Sequence, residues 1–355
     1  MSDSGIWDGF DDYNNSSGEC WDSVGGTPQY SSAYARFPAA PGCVAQGIRF
    51  PSGASKVKNY KSNVANPIAD FAFTIENLPT SGRQAFFSFG DAGSPQVVLA
   101  VNANGALEVW RGNSVFALGT LLGSSAPGLI TAGFYFCDVD AFIATSTGSV
   151  NVYIGVAAGG SPTITLSGVN TQNSSNAYIN QVSIGFLSGG VSTTGMRFDD
   201  FHAHDGSGSA PNAVLGEGTR IYTKMPSSAG YATTWTANGA SANWQCVDDI
   251  PPDGDTTYVS AAAFPLTEGY SAGTAGFTGT VNGVVRRSYI RKDDAGAHTF
   301  SNGVRSGGTN GLGAAASVNS TYAYVESFFA TDPNTSAAWT AAGADAATPV
   351  ISAVS

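Results

Sequence analysis

The chain has 355 residues, a formal net charge of −11 and 12% charged residues, with 45 glycines and 42% hydrophobic residues. This hydrophobic share excludes a disordered chain, and the scarcity of charged residues argues against long amphipathic helices. The acidic balance excludes nucleic acid as an expected partner, because the 15 basic residues form no continuous stripe. No run of 18 apolar residues is present, so we expect no membrane insertion.

From residue 68 onward, alternating apolar and polar residues predict β-strands. The Asn-Gly pair at 104–105 predicts a two-residue hairpin turn with positive φ at both positions, joining strands at Val97–Val101 and Ala106–Trp110. A strand running to Thr145 and a returning strand at Val150–Val156 predict a second hairpin of this kind. Turn signals recur every ~8–12 residues, which is typical of a β-sandwich or barrel.

The C-terminal third alternates in the same way. The segment KDDAG predicts a hairpin between strands at Val284–Arg291 and His298–Val304, and GADAATP predicts one short helical turn. After Asp205 the sequence becomes small and polar, as in a loop or hinge. The Pro-Pro-Asp-Gly segment that begins at Pro251 interrupts regular secondary structure. We therefore predict an all-β protein with a first domain at 1–212, a connecting strip at 213–254 and a second β domain at 255–355.

The stretch MRFDDFHAHDG holds two of the three histidines. On a regular strand Asp200, His202 and His204 share one face, together with Phe198, and this spacing can present imidazole and carboxylate to one cation. The following Gly/Ser-rich segment argues that this face lies near solvent, and the third histidine, His298, belongs to the second domain. We therefore predict a solvated strand face that binds no metal.

Other chemical motifs are weaker still. No GxSxG, HExxH or phosphate-loop pattern is present, and the adjacent acid pairs read as strand neighbours on opposite faces or as turn caps. Cys137 lies in an apolar run and predicts a buried thiol. Cys20 and Cys43 flank a loop, and a disulfide between them is left open. No catalytic residue, cofactor-binding residue or metal ligand is therefore assigned, and no cofactor is predicted.

Several stretches resemble a known family. WDGFDDYN, VVLAVNANGALEVWRG and RFDDFHAHDGSGS resemble the concanavalin A/laminin-G-type jelly rolls of tailed-bacteriophage virion proteins, and VVRRSYIRKDDAG and STYAYVES resemble the C-terminal portion of the same family. The resemblance covers nearly the whole chain. It implies a concanavalin A-like jelly-roll sandwich followed by a smaller C-terminal β domain, and it supplies no catalytic, sugar-binding or calcium-binding residues.

The resemblance implies a non-enzymatic structural component of a bacteriophage virion: a head decoration, collar, minor tail or fibre accessory protein that supports particle assembly or stability. Its expected partners are other virion proteins and copies of itself, with a trimer favoured. The alternative is a carbohydrate-binding adhesin that attaches to a glycan of the host envelope. A third hypothesis is a glycan depolymerase or metalloenzyme that uses Asp200, His202 and His204. Because the N-terminal stretch lacks an apolar segment, we expect assembly in the bacterial cytoplasm and release by lysis.

Overall fold

The computed structural model describes residues 5–13, 21–113, 118–189, 195–208 and 211–355. Strands hold 48% of the residues and helices 4%, so the predicted all-β class is confirmed. Within the described part of the chain, no helix is long and apolar enough to cross a membrane.

The chain forms two compact units. The described residues within 1–10, 21–37 and 46–221 form unit 1, and those within 11–20, 38–45 and 222–355 form unit 2. The N-terminal region therefore contributes to both units. The strip at 213–254, which we expected to connect two domains, divides after residue 221, with its first part in unit 1 and the rest in unit 2.

Unit 1 is a sandwich of two antiparallel sheets. Its strands are β1 (Ile6–Asp8), β2 (Ser23–Gly25), β3 (Gln29–Ser31), β4 (Gly47–Phe50), β5 (Ser55–Val64), β6 (Pro67–Ile75), β7 (Arg83–Asp91), β8 (Ser94–Asn102), β9 (Leu107–Gly112), β10 (Leu118–Ser124), β11 (Tyr135–Phe142), β12 (Gly148–Ile154), β13 (Ile164–Val169), β14 (Ile179–Gly189) and β15 (Met196–Asp205). Sheet A has the order β13-β12-β11-β6-β15-β4-β3, with β1 also paired to β15, and sheet B has the order β10-β9-β8-β7-β14-β5-β2. This is the predicted concanavalin A-like jelly-roll sandwich.

The core of unit 1 lies between the two sheets. All nine residues of β6 are buried. Phe71 stacks on Phe87 of sheet B, with ring centroids 4.9 Å apart, and Phe73 stacks on Phe86 at 4.6 Å. Because side chains alternate along a strand, the phenylalanines that fill the sandwich place Asp70 on the opposite face of sheet A.

The first predicted hairpin is confirmed in its strands and wrong in its turn. Strands β8 and β9 pair from Val97↔Arg111 to Val101↔Leu107. Of the two turn positions, Gly105 has a positive φ, at 72°, and Asn104 does not. The Asn102 side chain accepts hydrogen bonds from the backbone N–H groups of Asn104 and Ala106, and it thereby stabilises a longer loop.

Unit 2 contains a larger sheet and two short ribbons. Its elements are β16 (Pro226–Ala229), β17 (Thr236–Asn238), β18 (Tyr258–Ser260), β19 (Leu266–Ala272), β20 (Val284–Ile290), β21 (His298–Ser306), β22 (Thr309–Leu312), β23 (Ala316–Val318), β24 (Ala323–Phe329), α1 (Ala341–Ala346) and β25 (Thr348–Ala353). The sheet has the order β16-β19-β25-β21-β22, with β23 also beside β21, and β17–β18 and β20–β24 form the ribbons. Helix α1 confirms the predicted short helical turn.

The second predicted hairpin is wrong. Both strands exist, but β20 pairs with β24, from Val284↔Phe329 to Ile290↔Ala323. Strand β21 has β25 on one edge and β22 and β23 on the other. Since each strand offers two edges for pairing, β21 leaves no ladder position for β20.

A buried carboxylate–histidine cluster as candidate functional site

Three neighbouring strands of sheet A place polar side chains in one row across the face that points away from the phenylalanine core. Asp138 of β11 lies opposite Asp70 of β6, and Asp70 lies opposite His202 of β15. His204 follows two residues along β15 and therefore shares the face. We call these four residues, Asp70, Asp138, His202 and His204, the polar cluster.

The polar cluster is buried, so the prediction of a solvated strand face is wrong. Asp70 is 0% exposed, His202 1% and His204 4%. Residues 213–221, which we call the cover segment, provide backbone donors to this face. The Leu215 N–H donates to Asp70 Oδ1 and the Gly216 N–H to Asp138 Oδ1, both at 2.9 Å.

The cover segment needs a glycine where it meets Asp138. Gly216 has a φ of 80°, a conformation that L side chains rarely adopt. A Cβ at this position would also overlap the backbone nitrogen of Ala158. The glycine therefore lets the segment approach sheet A closely enough for its N–H to reach the carboxylate.

Asp200 does not share the face of the histidines, in contrast to the sequence prediction. The β15–β6 register shifts between Asp199 and His202, and Asp200 has a φ of 51°. As a result Phe198 and Phe201 both pack on Phe71 in the core, with ring centroids 5.7 and 5.8 Å away. A bulge of one residue thus separates Asp200 from the cluster and moves Phe198 to the opposite face from the histidines.

At the bulge, the side chains of Asp199 and Asp200 bind neighbouring segments of the chain. Asp200 Oδ1 accepts a hydrogen bond from the Ile221 N–H at 2.8 Å, at the end of the cover segment. Its other oxygen lies 3.7 Å from the Arg36 guanidinium. Asp199 Oδ2 accepts from the backbone N–H of Arg36 at 2.6 Å. These contacts fix loops against sheet A, as expected for acids at turns.

The two histidine rings lie in parallel. His202 and His204 stack with centroids 4.4 Å apart and an interplanar angle of 13°, and Trp7 of β1 stacks on His202 at 3.6 Å. Asp70 Oδ2 lies 3.2 Å from His202 Nδ1 and 3.7 Å from His204 Nδ1. One carboxylate oxygen therefore faces two imidazole nitrogens.

Burial controls the protonation of the cluster. It lowers the pKa of His202 to about 3, and it also lowers the pKa of His204, so both rings are neutral at neutral pH. Burial raises the pKa of Asp70 to about 6. Burial, and then the neighbouring Asp70 carboxylate, raise the pKa of Asp138 to about 9. At neutral pH Asp138 therefore keeps its proton and shares it with Asp70.

Sequence reasoning found the two histidines and missed both carboxylates that join them. A signal was present, because Asp70 is the single charged residue of the apolar strand IADFAF. An acid in such a run is either on a solvated face or held in a buried polar network. Asp138, in FYFCDVDAF, carries a similar signal, although Asp140 is a second acid in that run.

The remaining candidate residues lie elsewhere. Cys137 is 0% exposed, which confirms the predicted buried thiol. Whether Cys20 and Cys43 form a disulfide stays open, because Cys20 lies outside the described residues. His298, in unit 2, binds the Asp294 carboxylate at 2.9 Å through Nε2. The six tryptophans are all buried or half-buried.

No protein-family model matches the chain, and no curated protein matches it either. Among solved structures, it is similar to Trypanosoma rangeli sialidase bound to the inhibitor DANA, at 16% identity and a TM-score of 0.32, over 54% of this chain and 30% of the sialidase. It is also similar to the catalytic domain of a GH131 β-glucanase from Podospora anserina, at 15% identity and a TM-score of 0.33, over 55% and 87% of the two chains. The cellulose-induced protein Cip1 matches at 12% identity and a TM-score of 0.37, over 57% and 92%.

The expectation that the protein is not an enzyme does not stand, because the similar solved structures include a sialidase and the catalytic domain of a β-glucanase. The matched part of this chain spans less than a third of the sialidase. At such identities and TM-scores, no substrate and no catalytic residue passes from these proteins to this chain.

Proposed function

We propose that this chain is a multicopy structural component of a bacteriophage particle and that unit 2 packs against copies of itself, a trimer being the favoured assembly. The sequence resemblance to virion proteins supports the type of particle. The observation that carries the self-assembly is the β20–β24 ribbon of unit 2. Of its fourteen residues, Ser327 alone is buried, although the ribbon is rich in apolar and aromatic side chains.

The ribbon has two faces, and one of them packs within unit 2. Val284, Ile290, Val325 and Phe329 pack against buried clusters of this unit. Ser288, on the same face, donates to Asn302 of β21 at 2.6 Å. This inner face is half-buried by its own unit.

The opposite face of the ribbon carries two cross-strand pairs of apolar or aromatic side chains. Val285 lies opposite Phe328, and Tyr289 lies opposite Tyr324. Tyr289 also stacks on Tyr322, with ring centroids 4.8 Å apart. We call this the outer ribbon face, defined by Val285, Tyr289, Tyr322, Tyr324 and Phe328.

Chemistry of this kind is typical of protein–protein interfaces. Tyrosine, phenylalanine and arginine are enriched at the centres of interfaces, and the aromatic side chains bury large areas at little cost in side-chain entropy. Arg287 and Arg291 add guanidinium groups above Tyr324 and Tyr322, at 5.9 and 5.3 Å from the ring centroids. Asp12 and Tyr13 of the same unit already cover part of this face, through an ion pair with Arg287 and an edge-on contact between Tyr13 and Tyr324. A second copy of the chain would bury the side chains that stay half-exposed.

The molar mass of the full chain in solution tests self-assembly. For a 36.2 kDa chain, light scattering after size exclusion should give about three times that mass at micromolar concentration. Val285→Lys places a charge on the outer ribbon face and should yield a monomer. Leu121→Lys, at a position 45% exposed in unit 1, is the matched control and should leave the assembly intact. A monomeric wild type, or an assembled Val285→Lys variant, contradicts the proposal.

Particle membership needs its own experiment. Mass spectrometry of purified and salt-washed phage particles should find the chain in many copies per particle. Its absence from washed particles would rule out the structural role, whatever the molar mass in solution.

A second candidate function is carbohydrate binding, which a local arrangement in unit 2 favours. The Phe264 ring is 44% exposed and stacks on His298, with centroids 4.7 Å apart. His298 is held by Asp294, whose side chain is 58% exposed. Sugars pack C–H groups on exposed aromatic rings while neighbouring polar groups bind their hydroxyls.

A glycan array tests this candidate. The wild type should bind a set of host-envelope glycans, and Phe264→Ala should lose that binding. Phe142→Ala, at a position 38% exposed in unit 1, is the control and should bind as the wild type does. Equal binding by both variants would remove the Phe264 site.

A further inference from the structure

We propose that Asp70, His202 and His204 bind one transition-metal cation, with Zn²⁺ as the cation that suits the site best. One ligand atom from each side chain lies within 4.8 Å of the other two. Asp70 Oδ2 lies 3.2 Å from His202 Nδ1 and 3.7 Å from His204 Nδ1. Ligand atoms at about 2.0–2.1 Å from a tetrahedral Zn²⁺ are about 3.4 Å apart, close to these two separations. Because the two rings stack in near-parallel planes, binding requires one imidazole to turn until its lone pair points at the cation.

The donor set selects the class of cation. Two imidazoles and a carboxylate suit Zn²⁺ and its neighbours in the first transition row, whereas Ca²⁺ and Mg²⁺ take oxygen ligands. Within the described part of the chain, His202 Nε2 and both ring nitrogens of His204 make no hydrogen bond of ordinary geometry, although the Ala213 backbone lies beside His204. A buried polar nitrogen without a partner is costly, and a cation beside Asp70 Oδ2 would satisfy His204 Nδ1.

The surrounding structure orients the ligands. The Leu215 N–H holds Asp70 Oδ1 at 2.9 Å and leaves Oδ2 to face the two imidazoles. Hydrogen bonds of this kind commonly fix the carboxylate ligands of metal sites. Asp138 is next to Asp70 in the cross-strand row but is not among the three residues whose ligand atoms lie within 4.8 Å of one another, so three protein ligands are assigned.

The charge of the site also calls for a cation. The ion-pair partners of Asp70 in the described part of the chain are the two histidines, and it is 0% exposed. The Leu215 N–H and Asp138 give Asp70 hydrogen bonds but no positive charge, and a cation beside Oδ2 would supply that charge. Because the cover segment closes this face, the cation is structural, and it ties β6, β15 and residues 213–221 together.

Metal content and a spectroscopic signature test the proposal on the full chain. The protein is stripped with chelator in mild denaturant, returned to buffer with Zn²⁺, freed of excess metal and measured by mass spectrometry for zinc. We expect one zinc per chain and a rise in Tm of roughly 5–10 °C at about a hundredfold excess over Kd. Loading with Co²⁺ instead should give the visible absorption bands of a tetrahedral site with nitrogen and oxygen ligands.

Two variants separate the site from incidental binding. His204→Gln should lose the zinc and the cobalt bands, and His298→Gln, the matched control in unit 2, should retain both. If His204→Gln does not fold, the zinc content and the cobalt spectrum of the wild type still show whether the chain binds a cation. A wild type without stoichiometric zinc and without cobalt bands overturns the proposal, as does an equal loss in both variants. These outcomes are independent of particle membership and of self-assembly.

Discussion

The two units bury similar alternating strands to very different extents. In unit 1 all nine residues of β6 are buried, whereas in unit 2 all seven residues of β20 are half-buried. Both strands alternate in sequence and both are rich in apolar residues. The difference shows that an alternating pattern specifies a strand, while its burial depends on which layers lie against its two faces.

In unit 1 both faces of β6 are covered. Sheet B packs on the phenylalanine side, and the cover segment contributes hydrogen bonds to the side of Asp70. In unit 2 one face of the β20–β24 ribbon packs on its own sheet and the outer ribbon face stays half-exposed. Unit 1 thus completes its own core, and under our proposal unit 2 completes its burial by association.

The largest effect is expected for the core of unit 1. Phe71→Ala removes a ring that contacts both sheets and should lower the free energy of unfolding by about 3–5 kcal/mol. Urea denaturation followed by far-UV circular dichroism measures this change. Phe142→Ala, at an exposed position of the same unit, is the control and should change stability little. Similar losses in both variants would mean that the sandwich core is not the main source of stability.

A middle-sized effect is expected for an ion pair of unit 1. Glu76 accepts hydrogen bonds from Arg49 at 2.7 and 2.9 Å and from the Gly195 N–H at 2.8 Å. Its hydrogen bonds to Arg49 above all lower its pKa from 4.5 to about 2. Glu76→Gln should therefore cost about 2 kcal/mol at neutral pH, as for a hydrogen-bonded charged group.

The stability that Glu76→Gln loses should depend on pH. Because the folded pKa of Glu76 lies below its ordinary value, its contribution is present above pH 4.5 and is lost as the pH falls toward 2. The difference between wild type and Glu76→Gln should shrink over this range in urea titrations. Asp255→Asn is the control in unit 2, where Arg291 binds a largely exposed carboxylate, and it should change stability little. If Glu76→Gln loses the same stability at every pH, the ionised Glu76 carboxylate is not the source of the stabilisation.

The smallest effect in dilute solution is expected on the outer ribbon face. Phe328→Ala removes a half-exposed ring and should cost about 1 kcal/mol in the monomer. If copies associate through this face, the cost should grow with protein concentration, because association stabilises the folded wild type by mass action. Thermal unfolding at several concentrations measures this. If the Tm difference between wild type and Phe328→Ala does not depend on protein concentration, copies do not associate through the outer ribbon face.

Part of this architecture followed from local sequence. The β8–β9 hairpin and helix α1 were predicted because alternation, turn residues and small helical segments act over a few neighbouring residues. The hairpin turn was predicted too short, since the side chain of Asn102 competes with the backbone for the turn N–H groups. Even locally, side-chain hydrogen bonds thus modify what backbone preferences indicate.

The sequence by itself determined an all-β chain, the approximate place of many strands and the presence of two histidines on one strand face. Only the tertiary structure decided that Asp70, 132 residues before His202, meets it, that a bulge removes Asp200 from that face, and that β20 pairs with β24. The physical reason is that the side-chain period of a strand is local, whereas its pairing partner and the layer that covers each face are long-range contacts. Burial of the polar cluster depends on such contacts, and so does any chemistry that it carries.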